Sequence, residues 1–67
     1  MLRYVAVKEN EKNGISACEE DKILNTIWDI SPDYSDVQNL ADTLNKLEVS
    51  LIHFKDIIED YVQQMAM

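Results

Sequence analysis

The sequence predicts an α+β fold: a small antiparallel β-sheet of two to three strands followed by an α-helical hairpin packed on one face. Three observations lead there. β-formers and turn residues gather in the first thirty positions, among them Tyr4-Val5-Ala6-Val7 and Ile23-Leu24-Asn25-Thr26-Ile27-Trp28. Apolar residues then recur at helical spacing in two later segments. A chain of 67 residues has room for one domain, residues 1–67.

The first strand is expected at about residues 2–9, where the Tyr-Val-Ala-Val run lies. Asn10 to Gly14 form a polar turn segment, and Asn13-Gly14 is a hairpin signal because both residue types tolerate positive φ. The second strand is expected at about 14–19, and Glu20-Asp21-Lys22 makes the next turn. Residues 23–30 fit two periods. Leu24, Thr26, Trp28 and Ile30 share a strand face, whereas Ile23, Leu24, Ile27 and Trp28 make a helical stripe. The Ile, Thr and Trp content and the flanking turns favour the strand.

Ser31-Pro32-Asp33 ends that element. Ser35 and Gln38 have the spacing of a capping box, which opens a helix at about 36–48. Its stripe is Val37, Leu40, Ala41, Leu44 and Leu47. Ser50 reads as a second N-cap for a helix at about 51–65. Phe54, Ile57, Ile58, Tyr61, Val62 and Met65 form its apolar stripe, with His53, Asp56, Glu59, Asp60 and Gln63 on the wet side. The short connection predicts a helical hairpin.

Composition excludes several functions. Thirteen acids against six bases give a net charge of −7, which disfavours direct binding to nucleic acid or anionic membranes. One glycine rules out a Gly-rich phosphate cradle. One cysteine closes no internal disulfide, and Cys18 with His53 alone makes no zinc site. No apolar run reaches membrane-spanning length, and the N-terminus lacks the apolar core of a signal peptide. A cytoplasmic location is expected. The charge is uneven: residues 1–28 carry −1 and residues 29–67 carry −6.

Four constellations invite a function. His53, Asp56 and Asp60 share a helix face at i, i+3 and i+7, a spacing open to a metal or a proton transfer, but a solvated helix face accounts for the same residues. Cys18 lacks an evident activating base, so a packed strand thiol is the simpler reading. Leu40-Ala41-x-x-Leu44 followed by Val49-Ser50 has a helix-turn-helix look, yet the second helix is acidic where a DNA reader is basic. Asp33, Asp36, Asp42, Glu48, Asp56, Glu59 and Asp60 would make an acidic face, for which solubility is the plainer purpose.

Three segments carry a family resemblance. They are Gly14-Ile15 with Ala17, then Asp29-Ile30-Ser31 followed by Asp33, and Leu47-x-x-Ser50-x-Ile52-His53-x-x-Asp56-x-x-Glu59-Asp60-Tyr61. Over about residues 13–62 the chain resembles an uncharacterised family of short bacterial proteins, a domain of unknown function. The resemblance implies a small α+β domain and no particular activity.

The expected function is therefore a non-enzymatic protein–protein interaction or accessory module, self-associating as a homodimer. No cofactor, metal, small-molecule substrate, membrane or direct nucleic-acid partner is called for. A domain this small buries a modest share of its surface, and oligomerisation is one remedy. The expected contact residues are Trp28, His53, Asp56, Tyr61 and Met65. The alternative is an acidic decoy that docks on a basic nucleic-acid-binding site of another protein.

Overall fold

The structure is a computed structural model that describes residues 1–65, with Met65 through its backbone only. Strands β1 (Leu2–Glu9), β2 (Lys12–Glu19) and β3 (Lys22–Ile27) precede helices α1 (Tyr34–Lys46) and α2 (Leu51–Met65). The strands form one antiparallel sheet in the order β1-β2-β3.

The first hairpin turns earlier than the Asn13-Gly14 signal suggests. Glu9 pairs with Lys12, so Asn10 and Glu11 form a two-residue loop, with φ of 50° and 65°. Positive φ at both positions is what a type I′ hairpin needs. Register explains the choice. Closure at Asn10-Glu11 sets Tyr4 opposite Ala17 and Ala6 opposite Ile15, apolar against apolar. Closure at Asn13-Gly14 would instead set Asn10 and Lys12 against Ala17 and Ile15. Both Asn13 and Gly14 therefore lie within β2, and the φ of Gly14 is not positive. Gly14 is needed for space: a Cβ there would lie 2.4 Å from the Ile27 carbonyl oxygen and 3.1 Å from Trp28 Cα.

The second hairpin closes between Glu19 and Lys22, with Glu20 in the left-handed region at φ 56°. Ala17 pairs with Asn25 while Cys18 pairs with Ile23, so Leu24 is the extra residue of a β-bulge. Residues 22–27 are strand, but the strand stops short of the expected Ile30. Asp29 takes φ 59° and turns the chain. Ile30 then drops into the core, its N–H donating to the Asn13 carbonyl at 3.1 Å.

Helix α1 starts before the expected capping box. Asp33 is its N-cap, and its Oδ1 accepts from the Ser35 N–H at 2.9 Å. Ser35 is thus inside the helix rather than capping it. An ionised cap also complements the positive end of the helix dipole. The helix ends at Lys46, short of residue 48, in a Schellman motif: Val49 N–H donates to Leu44 O and Glu48 N–H to Asn45 O, with Glu48 at φ 51°. Ser50 precedes α2, and its carbonyl accepts from the His53 N–H at 3.0 Å.

The core draws Tyr4, Ile15 and Ala17 from one sheet face, Val37, Ala41 and Leu44 from α1, and Phe54 and Ile58 from α2. Tyr4 joins the layers: its ring lies 4.9 Å from that of Phe54, and its hydroxyl donates to the Val49 carbonyl at 2.7 Å. Burial raises the Tyr4 pKa above the ordinary 10.0.

The outer edge of β1 is closed by side chains. Asn45 accepts from the Tyr4 N–H through Oδ1 and donates from Nδ2 to the Tyr4 carbonyl, both at 2.8 Å. These are the two bonds a neighbouring strand would make. The Tyr34 hydroxyl donates to the Ala6 carbonyl at 3.2 Å. At the opposite edge, the bulge at Leu24 interrupts β3. Both devices oppose edge-to-edge pairing.

Candidate interaction surface

Strand alternation assigns a second set of residues to the other face of the sheet. With Tyr4, Ile15 and Ala17 turned to the core, the outer face takes Arg3, Val5, Val7 and Glu9 from β1. It takes Lys12, Gly14, Ser16 and Cys18 from β2. The pairings Arg3–Cys18, Val5–Ser16, Val7–Gly14 and Glu9–Lys12 confirm this grouping, as does the 2.8 Å hydrogen bond between the Ser16 and Thr26 hydroxyls. Ile23, paired with Cys18, belongs to the same face. Trp28 comes to it through Gly14, above which its ring carbon Cε3 lies.

An antiparallel sheet with one solvated face ordinarily alternates apolar-in and polar-out. This one does not. Between Arg3 and Glu9, β1 offers Val5 and Val7; between Lys12 and Glu20, β2 offers Gly14, Ser16 and Cys18. The middle of the outer face thus has no charge in a chain of net charge −7. Ile23 is 70% exposed, and Val5 and Trp28 are 38% exposed. Charges lie at the two ends. Arg3 and Glu20 line one shallow depression with Met1, Val5 and Cys18, and Glu9 and Lys12 line another with Asn10 and Trp28.

The expected contact residues fall on two layers. Trp28 is on the outer sheet face. His53 and Asp56 are exposed on α2. Tyr61 and Val62 are half-buried and pack against the core. Burial raises the Tyr61 pKa, and the Asp36 and Asp33 carboxylates raise it further, which places the phenol near the start of α1. The Met65 side chain lies outside the described residues. Cys18 is half-buried and free. Among the described residues no cluster of three His, Cys, Asp or Glu side chains is placed to hold a metal. No helix among them is long and apolar enough to cross a membrane.

Sequence reasoning missed Val5 and Ile23 as exposed residues and Val7 as half-buried on the same face. The signal was present: Tyr4-Val5-Ala6-Val7 is apolar at both parities, so one of its faces had to lie outside the core.

A second apolar group, Leu47, Leu51 and Ile52, lies where α1 passes to α2, with Ile52 84% exposed. The exposed side of α2 also carries Asp56, Glu59 and Asp60, and Lys55 pairs with Glu59 at 3.9 Å.

No curated protein and no solved structure matches the chain. A family model does match, over residues 3–64, which takes in β1 from Arg3 onward, the other two strands, α1 and nearly all of α2. The chain belongs to that family, the family of unknown function DUF6514.

Proposed function

We propose that this chain is a non-enzymatic protein-interaction module that binds through the outer face of its sheet and is able to self-associate. The observation that supports the reading most is the uncharged, partly apolar middle of that face. A contiguous apolar patch rimmed by charges is the usual anatomy of a protein contact. Trp28 is its natural anchor, since tryptophan is over-represented among residues that dominate binding energy. The occupant on this reading is an uncharged protein face, not a phosphate backbone. The guarded edges of β1 and β3 direct binding to the face rather than to strand addition.

A photo-crosslinking residue at Val5, in cells expressing the chain, tests this reading. Defined protein adducts are expected from Val5, with none from the same residue at Gln38 on α1. Adducts from Gln38 alone, or none from Val5, would overturn it.

The acidic alternative has one supporting observation: the negative charge is segregated into residues 29–67, with Asp33 and Asp36 close enough to Tyr61 to affect it. A decoy acting through that layer would be captured from Gln38, on a nucleic-acid-binding protein, and would be released by moderate salt.

A further inference from the structure

We infer that the occupant of the outer sheet face is a second copy of this chain, packed face to face about a two-fold axis that lies between the sheets and crosses the strands. This rests on the interaction reading above and goes further by naming the partner and its register.

Self-complementary charge carries the inference. On its outer face β1 reads Arg3, Val5, Val7, Glu9: a cation, two apolar residues and an anion. A two-fold perpendicular to the strands lays β1 over β1 of the second copy in the opposite direction. Arg3 then faces the second copy's Glu9, Val5 faces its Val7, and the reverse contacts follow by symmetry. Along β2 the order is reversed: Lys12, which also pairs with its own Asp29 at 3.7 Å, is at the Glu9 end, and Glu20 of the following turn is at the Arg3 end. The same rotation sets Lys12 of one copy over the level of Cys18 in the other, with Glu20 one outer-face position beyond. At β3, Trp28 meets the level of Thr26. Gly14, buried beneath the indole of its own Trp28, seats that ring close against the sheet. Sheets that pack in this way cross at about 30°, within reach of long rim side chains.

The distribution of the remaining charge fits. Most of the like charges that would oppose dimerisation lie in residues 33–67, the helical side of the chain, and Asp29 at the sheet end is paired with Lys12. Stacked sheets lie about 10 Å apart. Acids beyond the helices are then separated across the dimer by more than a Debye length of about 8 Å and are screened.

The area sets the expected strength. Three strands about 4.8 Å apart and about seven residues long give a footprint near 14 by 24 Å. Two copies bury about 700 Å² in projection, and side-chain relief brings this close to the lower bound of about 1,000 Å² for a specific contact. The dimer should therefore be weak, with half-association at roughly micromolar to hundred-micromolar concentration.

Sedimentation of the purified full chain with charge reversals tests the arrangement. Wild type should pass from monomer to dimer as concentration rises. Arg3→Glu alone and Glu9→Arg alone should each weaken association by roughly tenfold, because the pair occurs twice in the dimer. The double variant should return to within about threefold of wild type. Circular dichroism of each variant checks that the surface changes leave the fold intact. A double variant no better than the singles overturns this register. A chain that stays monomeric throughout, while the Val5 crosslinker still captures a different protein in cells, overturns the second copy and leaves the module reading standing. A monomeric chain with no adduct from Val5 removes both.

Discussion

The two faces of the sheet are built from the same three strands and differ in what covers them. On the inner face Tyr4, Ile15 and Ala17 are at most 2% exposed beneath α1 and α2. On the outer face Val5 and Trp28 remain open, although Ser16 between the strands is itself buried. The inner face follows the ordinary logic of a small domain, in which apolar area leaves water against two amphipathic helices. The outer face departs from it by keeping valine, isoleucine and tryptophan where threonine, lysine or glutamate would serve a solvated sheet. Apolar residues needed for folding are already placed inside, and the proposed association would account for those left outside.

Substitutions separate the two roles, and the largest effect belongs to the inner face. Phe54→Ala empties a fully buried site against Tyr4 and should cost about 3–5 kcal/mol. That approaches the whole stability of a domain this size. Loss of the helical circular-dichroism signal at room temperature is expected. Gly14→Ala comes next. Its methyl would meet the Ile27 carbonyl oxygen at 2.4 Å and force β3 away from β2. A loss of about 1–3 kcal/mol in urea titration is expected, together with a change in Trp28 fluorescence.

Asn45→Ala removes both side-chain bonds to Tyr4 and reopens the edge of β1. About 2 kcal/mol should be lost, and light scattering should rise on prolonged incubation as edges pair.

Tyr4→Phe is milder, at about 1 kcal/mol, because one hydrogen bond to Val49 is lost while the ring stays. It also has a pH signature. Burial raises the Tyr4 pKa, so the folded state holds that proton more tightly than the unfolded state. The stabilisation is full below the unfolded value near 10 and is lost as pH rises through the folded value. Urea midpoints for wild type should fall between pH 9 and pH 11, and less steeply in Tyr4→Phe. Tyr61, shifted in the same direction, leaves a residual slope.

The smallest effect on folding is expected at the outer face. Val5→Lys should leave stability within about 0.5 kcal/mol of wild type. Association should nonetheless be abolished, since it places two like charges in an apolar contact.

How much of this was legible in the residues depends on the element. The α+β fold class came from local signals: β-formers early, and stripes such as Phe54, Ile57, Ile58 and Tyr61 later. The turn at Asn10-Glu11 was hidden behind the stronger Asn13-Gly14 pair, because register is set by the apolar match of Tyr4 and Ala6 to Ala17 and Ile15 across the hairpin. Gly14 was read as a residue needed for φ when it is needed for the close approach of Ile27. Asp33 was passed over as a cap because Ser35 and Gln38 matched a motif. The Asn45 clamp joins residues 41 positions apart in sequence, which no local pattern reports. The partial exposure of Trp28 was legible. Val5 and Val7 were not, since deciding which face of an all-apolar run is buried requires the position of the helices.

Trp28 is the sole tryptophan, which makes its fluorescence the most direct test of the outer face as the site of self-association. Emission and acrylamide quenching are followed from about one micromolar to several hundred micromolar, alongside the mass of the same samples by light scattering. Self-association through this face predicts a blue shift and reduced quenching that follow the monomer-to-dimer transition, both absent in Val5→Lys. A mass that doubles while Trp28 emission and quenching stay unchanged would contradict it.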